Sequence, residues 1–215
     1  LASGEFDARL KEVYLSDEAV AAQKTRQAEI LDAYVELFGD CDGIEFFSAP
    51  GRTEVGGNHT DHNHGKVLAA AINLDTIALA GKRDDMVICE KSANHSMNKV
   101  DVSDLSVKPE EFGKSAALIR GMCAGFKEYG YNIGGFNATG VTQVLSGSGL
   151  SSSAAFEVLI GAILNVLNSV IANPSLLESS SESSTYAPSG EVIRQQNEIR
   201  HMMDAAQLDY DRTKS

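Results

Sequence analysis

The chain has 215 residues and carries 30 Asp and Glu against 18 Lys and Arg, a formal net charge of −12. Such a surface repels polyanions, so nucleic acid is excluded as an expected partner. A small phosphate ligand is not excluded, because backbone N–H groups and a metal ion hold phosphate without a basic patch. Hydrophobic residues at 43% and charged residues at 22% are ordinary for a globular protein with one good core, of one lobe or two.

From Glu18 to Phe38 apolar residues recur on one stripe (Val20, Ile30, Leu31, Tyr34, Val35 and Phe38), which predicts a helix closed by Gly39. Ile44–Ala49 reads as a short buried strand, and Pro50–Gly65, rich in Gly and His and poor in aliphatic residues, as a loop. Lys66–Ile72, Thr76–Ala80 and Met86–Glu90 read as three strands, with Gly81 and Asp84-Asp85 turning the chain between the last two. Pro109 opens a second predicted helix that runs to about Tyr129, its first turn supplied with Glu110 and Glu111. A strand from Gly134-Gly135 to about Leu145, the glycine-serine loop 146–149 and an apolar helix from Ala154 to Leu167 follow. Ser179–Ser189 holds six serines and reads as a linker or disordered stretch, followed by a polar helical segment over about Glu191–Leu208.

Cys41, Cys89 and Cys123 lack metal-ligand spacing and are read as reduced structural thiols. No stretch has the length and apolarity of a membrane-spanning helix, and no signal peptide is visible. The first residue is Leu1, so the true start is expected to precede it. A cytoplasmic monomer without a membrane partner is the expectation.

Two constellations carry chemistry. Ser146-Gly-Ser-Gly-Leu-Ser-Ser-Ser-Ala154 lies between a predicted strand and a predicted helix. Gly147 and Gly149 allow positive φ and close approach of a ligand to the backbone, and the N–H groups of the helix start favour an anion. The serine hydroxyls can reach a Mg²⁺ held by phosphates. No Gly-Lys-Ser/Thr follows and the third glycine of a dinucleotide fingerprint is absent, so neither of those loops is present. Composition alone fits equally a plain helix N-cap with a flexible loop. The second constellation, Ala49–Gly65, gathers Arg52, Asn58, His59, Asp61 and Asn63. Asn, Asp and His supply the paired donors and acceptors that adjacent sugar hydroxyls require. A fixed Arg stabilises charge on a transferring phosphoryl group. A solvated polar loop fits the same composition. A zinc site at His59, His62 and His64 is disfavoured because no fourth ligand is evident.

The run Gly51-Arg-Thr-Glu-Val-Gly-Gly-Asn-His-Thr-Asp-His-Asn63 resembles the galactokinase signature, usually Gly-Arg-x-Asn-x-Ile-Gly-Glu-His-x-Asp-Tyr-Asn. Gly147–Ala154 is similar to the phosphate loop of the GHMP small-molecule kinases. The likeness covers residues 18–168. It implies an α+β fold: a GHMP-kinase N-terminal domain over 1–168, ribosomal-protein-S5-like, with a mixed sheet and packed helices. On this resemblance the ferredoxin-like C-terminal domain of the family would be missing, and 169–215 would be a divergent, Ser-rich tail that is expected to be disordered.

The implied activity of the intact enzyme is transfer of the γ-phosphoryl of ATP to O1 of galactose, with Mg²⁺. Arg52 would stabilise the transition state. Asn58, His59, Thr60 and Asp61 would line the galactose pocket. Gly147, Ser148, Gly149, Leu150, Ser151, Ser152 and Ser153 would wrap the ATP phosphates, and Ser153 would ligate Mg²⁺.

Two departures stand out. Asn58 occupies a position where the family usually has Glu, which removes a charge from the sugar pocket and leaves a related sugar such as N-acetylgalactosamine open. The family's catalytic Asp lies in a Gly-x-x-x-Gly-x-Met-Asp-Gln run, and none follows Leu167; Asp204 follows a Met-Met pair without those glycines. The chain alone is therefore expected to be inactive, and a non-catalytic galactose- and ATP-binding sensor is the alternative.

Overall fold

The computed structural model describes Gly4 and residues 7–39, 41–57, 65–93 and 95–168, and the statements below concern those residues. The expected linker and tail after 168, and Asp204, lie outside them. The element order is α1 (Asp7–Tyr14), α2 (Asp17–Phe38), β1 (Ile44–Gly56), β2 (Leu68–Lys82), β3 (Val87–Ser92), β4 (Asn98–Asp101), a 3₁₀ turn (Pro109–Glu111), α3 (Ser115–Glu128), β5 (Phe136–Thr142) and α4 (Ser152–Leu167). The strands form a five-stranded sheet in the order β1-β2-β5-β3-β4. This is the mixed α+β architecture the sequence implied.

The chain divides into two compact units. The first comprises Leu1–Gly81, Glu90–Met97 and Asn137–Leu159; the second comprises Lys82–Cys89, Asn98–Phe136 and Ile160–Ser215.

In the first unit α2 begins where Ser16, in an extended conformation, accepts the Ala19 N–H on its side-chain oxygen at 3.1 Å. It ends at Gly39, whose φ of 77° lets its N–H return to the Val35 carbonyl at 2.9 Å. Ile30 and Tyr34 of this helix meet Ile77 and Leu79 of β2, and Leu31, Phe38, Ile44 and Val141 pack around them. Each such side chain contributes roughly 1.5–3 kcal/mol by leaving water. Gly81 is required here, since a Cβ on it would lie 2.5 Å from the Tyr34 hydroxyl.

β1 and β2 pair antiparallel from Ile44↔Gly81 to Gly56↔Leu68, with irregularities between Pro50 and Arg52 and between Glu54 and Gly56. The expected break between two strands at Asn73–Asp75 is absent, and β1 continues six residues past Pro50 into the expected loop.

In the second unit Ile88, Val100, Val102, Ile119, Met122, Cys123, Phe126 and Phe136 are buried. Arg120 ties its loops. Its Nε and Nη2 fork onto both carboxylate oxygens of Glu111 at 2.8 and 2.7 Å. Its Nη1 donates to the carbonyls of Asp101 and Asp104. The helix predicted from Pro109 is instead a 3₁₀ turn followed by α3, separated by Gly113 at φ 73°. Burial pushes the Cys123 thiol up to about 12, so it is an inert core thiol, and no cysteine forms a disulfide. No described helix is long and apolar enough to cross a membrane.

Candidate active site

Arg52 sits on β1 immediately after the irregularity at Pro50, where the register steps from Pro50↔Asp75 to Arg52↔Ala71. Gly51, between them, is buried, and a Cβ there would stand 3.1 Å from one methyl of Val144 and 3.2 Å from Ile72 Cδ1. The missing side chain lets the strand that carries Arg52 lie against the residues that lead into the glycine-serine loop. Arg52 is half-buried, and its Nε is buried with no hydrogen-bond partner among the described residues. A donor in that state has a vacant bond to give.

Asn58, His59, Thr60 and Asp61 lie outside the described residues. The described ends that flank them are close together. Gly57 has φ 105°, and a Cβ on it would lie 2.4 Å from the Lys66 carbonyl oxygen and 2.7 Å from Val67 Cα. Only glycine fits this turn without strain.

The glycine-serine segment adopts a conformation that composition did not reveal. Gly147, Gly149 and Ser151 have φ of 75°, 77° and 60°, and the intervening Ser148 and Leu150 do not share the positive sign. Alternation of this kind turns successive N–H groups toward one concavity, which suits an anion. Ser148 closes the start of the loop, with its hydroxyl donating to the Leu145 carbonyl at 2.5 Å. Ser152 and Ser153 are the first two residues of α4, and Ser153 is exposed. The first intrahelical bond runs from the Ala155 N–H to the Ser151 carbonyl at 3.0 Å, so the amides of Ser152, Ser153 and Ala154 lie in the helix's first turn, while the Ser148 N–H is already given to the Leu145 carbonyl at 3.3 Å.

One main-chain bond joins Arg52 of one predicted constellation to Leu150 of the other. The Arg52 N–H donates to the Leu150 carbonyl at 3.1 Å, within the first unit. Arg52 and the loop 147–151 are therefore neighbours, while Asn58, His59, Thr60 and Asp61 are outside the described set.

Beneath them lies a buried polar cluster that sequence reading missed. Asp75 Oδ2 accepts from the Tyr14 hydroxyl at 2.5 Å and the Ser48 hydroxyl at 2.6 Å. Its Oδ1 accepts from Arg26 Nη1 at 2.5 Å. Arg26 Nη2 donates to the carbonyls of Asp75 and Val141, each at 2.8 Å. Burial, followed by the bond to Asp75, drives the Tyr14 phenol well above its usual range. The available signal was a charged residue on an apolar helix stripe (Arg26) and another in an apolar strand (Asp75), but their pairing is long-range.

Glu157 was also missed. It lies on α4, 2% exposed, with Oε1 lacking any hydrogen-bond partner among the described residues. Burial pushes its carboxyl up to about 7.

The galactokinase galactose-binding signature matches residues 32–82. The galactokinase of Lactococcus lactis subsp. cremoris is 34% identical over 152 residues, which are 69% of this chain and 38% of that protein. The galactokinase of Bacillus subtilis is 31% identical over 140 residues, 63% of this chain and 35% of that protein. The crystal structure of Lactococcus lactis galactokinase complexed with galactose matches with TM-score 0.67 at 27% identity, over 86% of this chain and 42% of that one. The Methanococcus jannaschii mevalonate kinase shares the fold alone, with TM-score 0.52 at 12% identity over 78% of this chain and 47% of that one. The chain thus spans well under half the length of the curated relatives it matches. By signature, by sequence identity and by fold, it is a relative of the galactokinases.

Proposed function

We propose that this chain is the galactose- and phosphate-binding part of an ATP-dependent galactokinase, which transfers the γ-phosphoryl of ATP to O1 of galactose. The observation that carries the reading is the Arg52 N–H bond to the Leu150 carbonyl, which makes a charge-stabilising side chain the neighbour of an anion-binding loop. In this reading Gly147–Ser153 take the triphosphate on their amides and hydroxyls, and Asn58, His59, Thr60 and Asp61 take the sugar hydroxyls. The sugar O1 forms a bond to the γ-phosphorus as the bond to the bridging oxygen breaks and ADP leaves. Arg52 stabilises the charge spread over the transferring group.

The residues present fit a phosphate-borne Mg²⁺ through one protein ligand, the exposed Ser153 hydroxyl. Among the described residues no group of three His, Cys, Asp or Glu forms a metal cage of its own. Mg²⁺ commonly keeps waters and phosphate oxygens as its other ligands, and when bound it neutralises phosphate charge. The O1 proton needs a carboxylate base, and the run that carries it in the family is not found in this chain. The 215-residue chain alone is therefore expected to bind without turning over. A monomer in the cytoplasm, where ATP is supplied, suits this chemistry.

Calorimetric titration with galactose and with a non-hydrolysable ATP analogue plus Mg²⁺, beside a coupled ADP-release assay, tests the reading. Heat with each ligand and no ADP release is expected. Absence of binding to both ligands would falsify it, and steady turnover would overturn the absence of the base.

A further inference from the structure

We propose that Asp75 is a positioning residue that sets the spacing between Arg52 and the loop over 146–151. The inference rests on the reading of Arg52 as the charge-stabilising group.

Asp75 stands directly opposite Pro50, at the edge of the irregularity from which Arg52 emerges. It holds both approaches to the site. Its Oδ2 binds the Ser48 hydroxyl at 2.6 Å, which fixes β1 four residues before Arg52. Its backbone carbonyl accepts the Gln143 N–H at 2.9 Å, which fixes the chain immediately before Val144. Val144 in turn lies against Gly51. The end of this frame is the Arg52 N–H bond to Leu150 at 3.1 Å. Asp75 thus holds one loop root through its side chain and the other through its main chain.

Its own charge is held by Arg26 at 2.5 Å on Oδ1 and by the Tyr14 hydroxyl at 2.5 Å on Oδ2. Asp75 is 3% exposed and Arg26 8% exposed, so water does not substitute for these partners.

Direct replacement of Asp75 strands the Arg26 charge and threatens folding, so the test uses the two hydroxyls that share Asp75 Oδ2. Tyr14→Phe and Ser48→Ala each remove one donor from the same oxygen. Only Ser48 stands on the strand that carries Arg52. The readout is hydrogen exchange of the Arg52 amide in the ligand-free chain, with thermal melting alongside. Ser48→Ala is expected to speed that amide about tenfold relative to Tyr14→Phe, as loss of a hydrogen bond to a charged group allows. Equal rates in the two variants, or a faster rate in Tyr14→Phe, overturn the proposal. Galactose titration of the unaltered chain separates the two claims: a chain that binds no galactose ends the functional reading, and the exchange comparison still decides the role of Asp75.

Discussion

The amide of Arg52 donates to the carbonyl of Leu150 at 3.1 Å, joining a strand of one hairpin to a loop that the chain reaches only after β5. The bond is made by main chain, so it constrains where the Arg52 side chain starts without occupying it. The guanidinium keeps a buried Nε with no partner among the described residues. An unpartnered buried donor costs stability and gains purpose only when a ligand supplies the acceptor.

Arg52→Met therefore has opposite effects on fold and function. It removes the unpartnered donor and keeps much of the side-chain volume, so stability is expected to change by less than about 1 kcal/mol. On the proposed function, phosphoryl transfer by the full-length protein is expected to fall by about 10²–10³-fold, the usual loss of one transition-state donor. Denaturant unfolding of the chain and steady-state kinetics of the full-length protein check the two halves. A large loss of stability would make Arg52 a structural residue.

Gly57 and Gly56 are adjacent yet differ in what they tolerate. At Gly57, φ of 105° and a carbonyl oxygen 2.4 Å from the added Cβ leave no room for alanine. Gly57→Ala is expected to cost about 1–3 kcal/mol and to weaken galactose binding by displacing the flank of the sugar loop. Gly56 has nothing within 4 Å of an added Cβ, so Gly56→Ala is expected to stay within about 0.5 kcal/mol of the parent. Equal melting temperatures for the two variants would contradict this account of the turn.

Much of this was legible in the sequence wherever local signals set the structure. The α2 stripe and its Gly39 cap are local, and the structure ends the helix at Phe38. The position of the glycine-serine loop before α4 is equally local. The misreadings came from partners far away in the chain. Residues 73–75 fall between two predicted strands, yet Arg26, Tyr14 and Ser48 satisfy Asp75 and β2 runs through. The strand β4 has one buried residue, Val100, and the helix α1 has one, Tyr14, too few to mark a periodicity. The adjacency of Arg52 and the glycine-serine loop was implied only by the family resemblance, and the left-handed Ser151 had no sequence signal, because a serine is not an expected carrier of φ 60°.

The Arg26–Asp75 pair is expected to behave as a buried ion pair. Its side chains are 9% and 4% exposed, so salt should screen it weakly. Arg26→Met leaves the Asp75 carboxylate buried without its cation and is expected to cost about 3–5 kcal/mol. Adding Asp75→Asn removes the stranded charge and keeps an acceptor for Tyr14 and Ser48, so the double variant should be more stable than Arg26→Met alone. Urea unfolding of the three proteins makes the comparison, and a double variant less stable than the single one would show that Asp75 gains nothing from neutralisation.

Glu157 gives the first unit a distinctive response to pH. Burial holds its carboxyl at about 7 in the folded chain, against 4.5 for the free group. The folded state therefore keeps the proton that the unfolded state releases. Below about pH 4.5 both states are protonated and the residue costs nothing through ionisation. Between 4.5 and 7 its contribution falls as pH rises, and above about 7 the full penalty, on the order of 3 kcal/mol, is present. Glu157→Gln cannot ionise, so it isolates the effect. The variant is expected to gain stability relative to the parent between pH 5 and pH 8, with most of the gain complete near neutrality. Melting temperatures of both proteins across that range read the difference directly, and a difference that does not change with pH would place the Glu157 carboxylate in contact with a partner or with water.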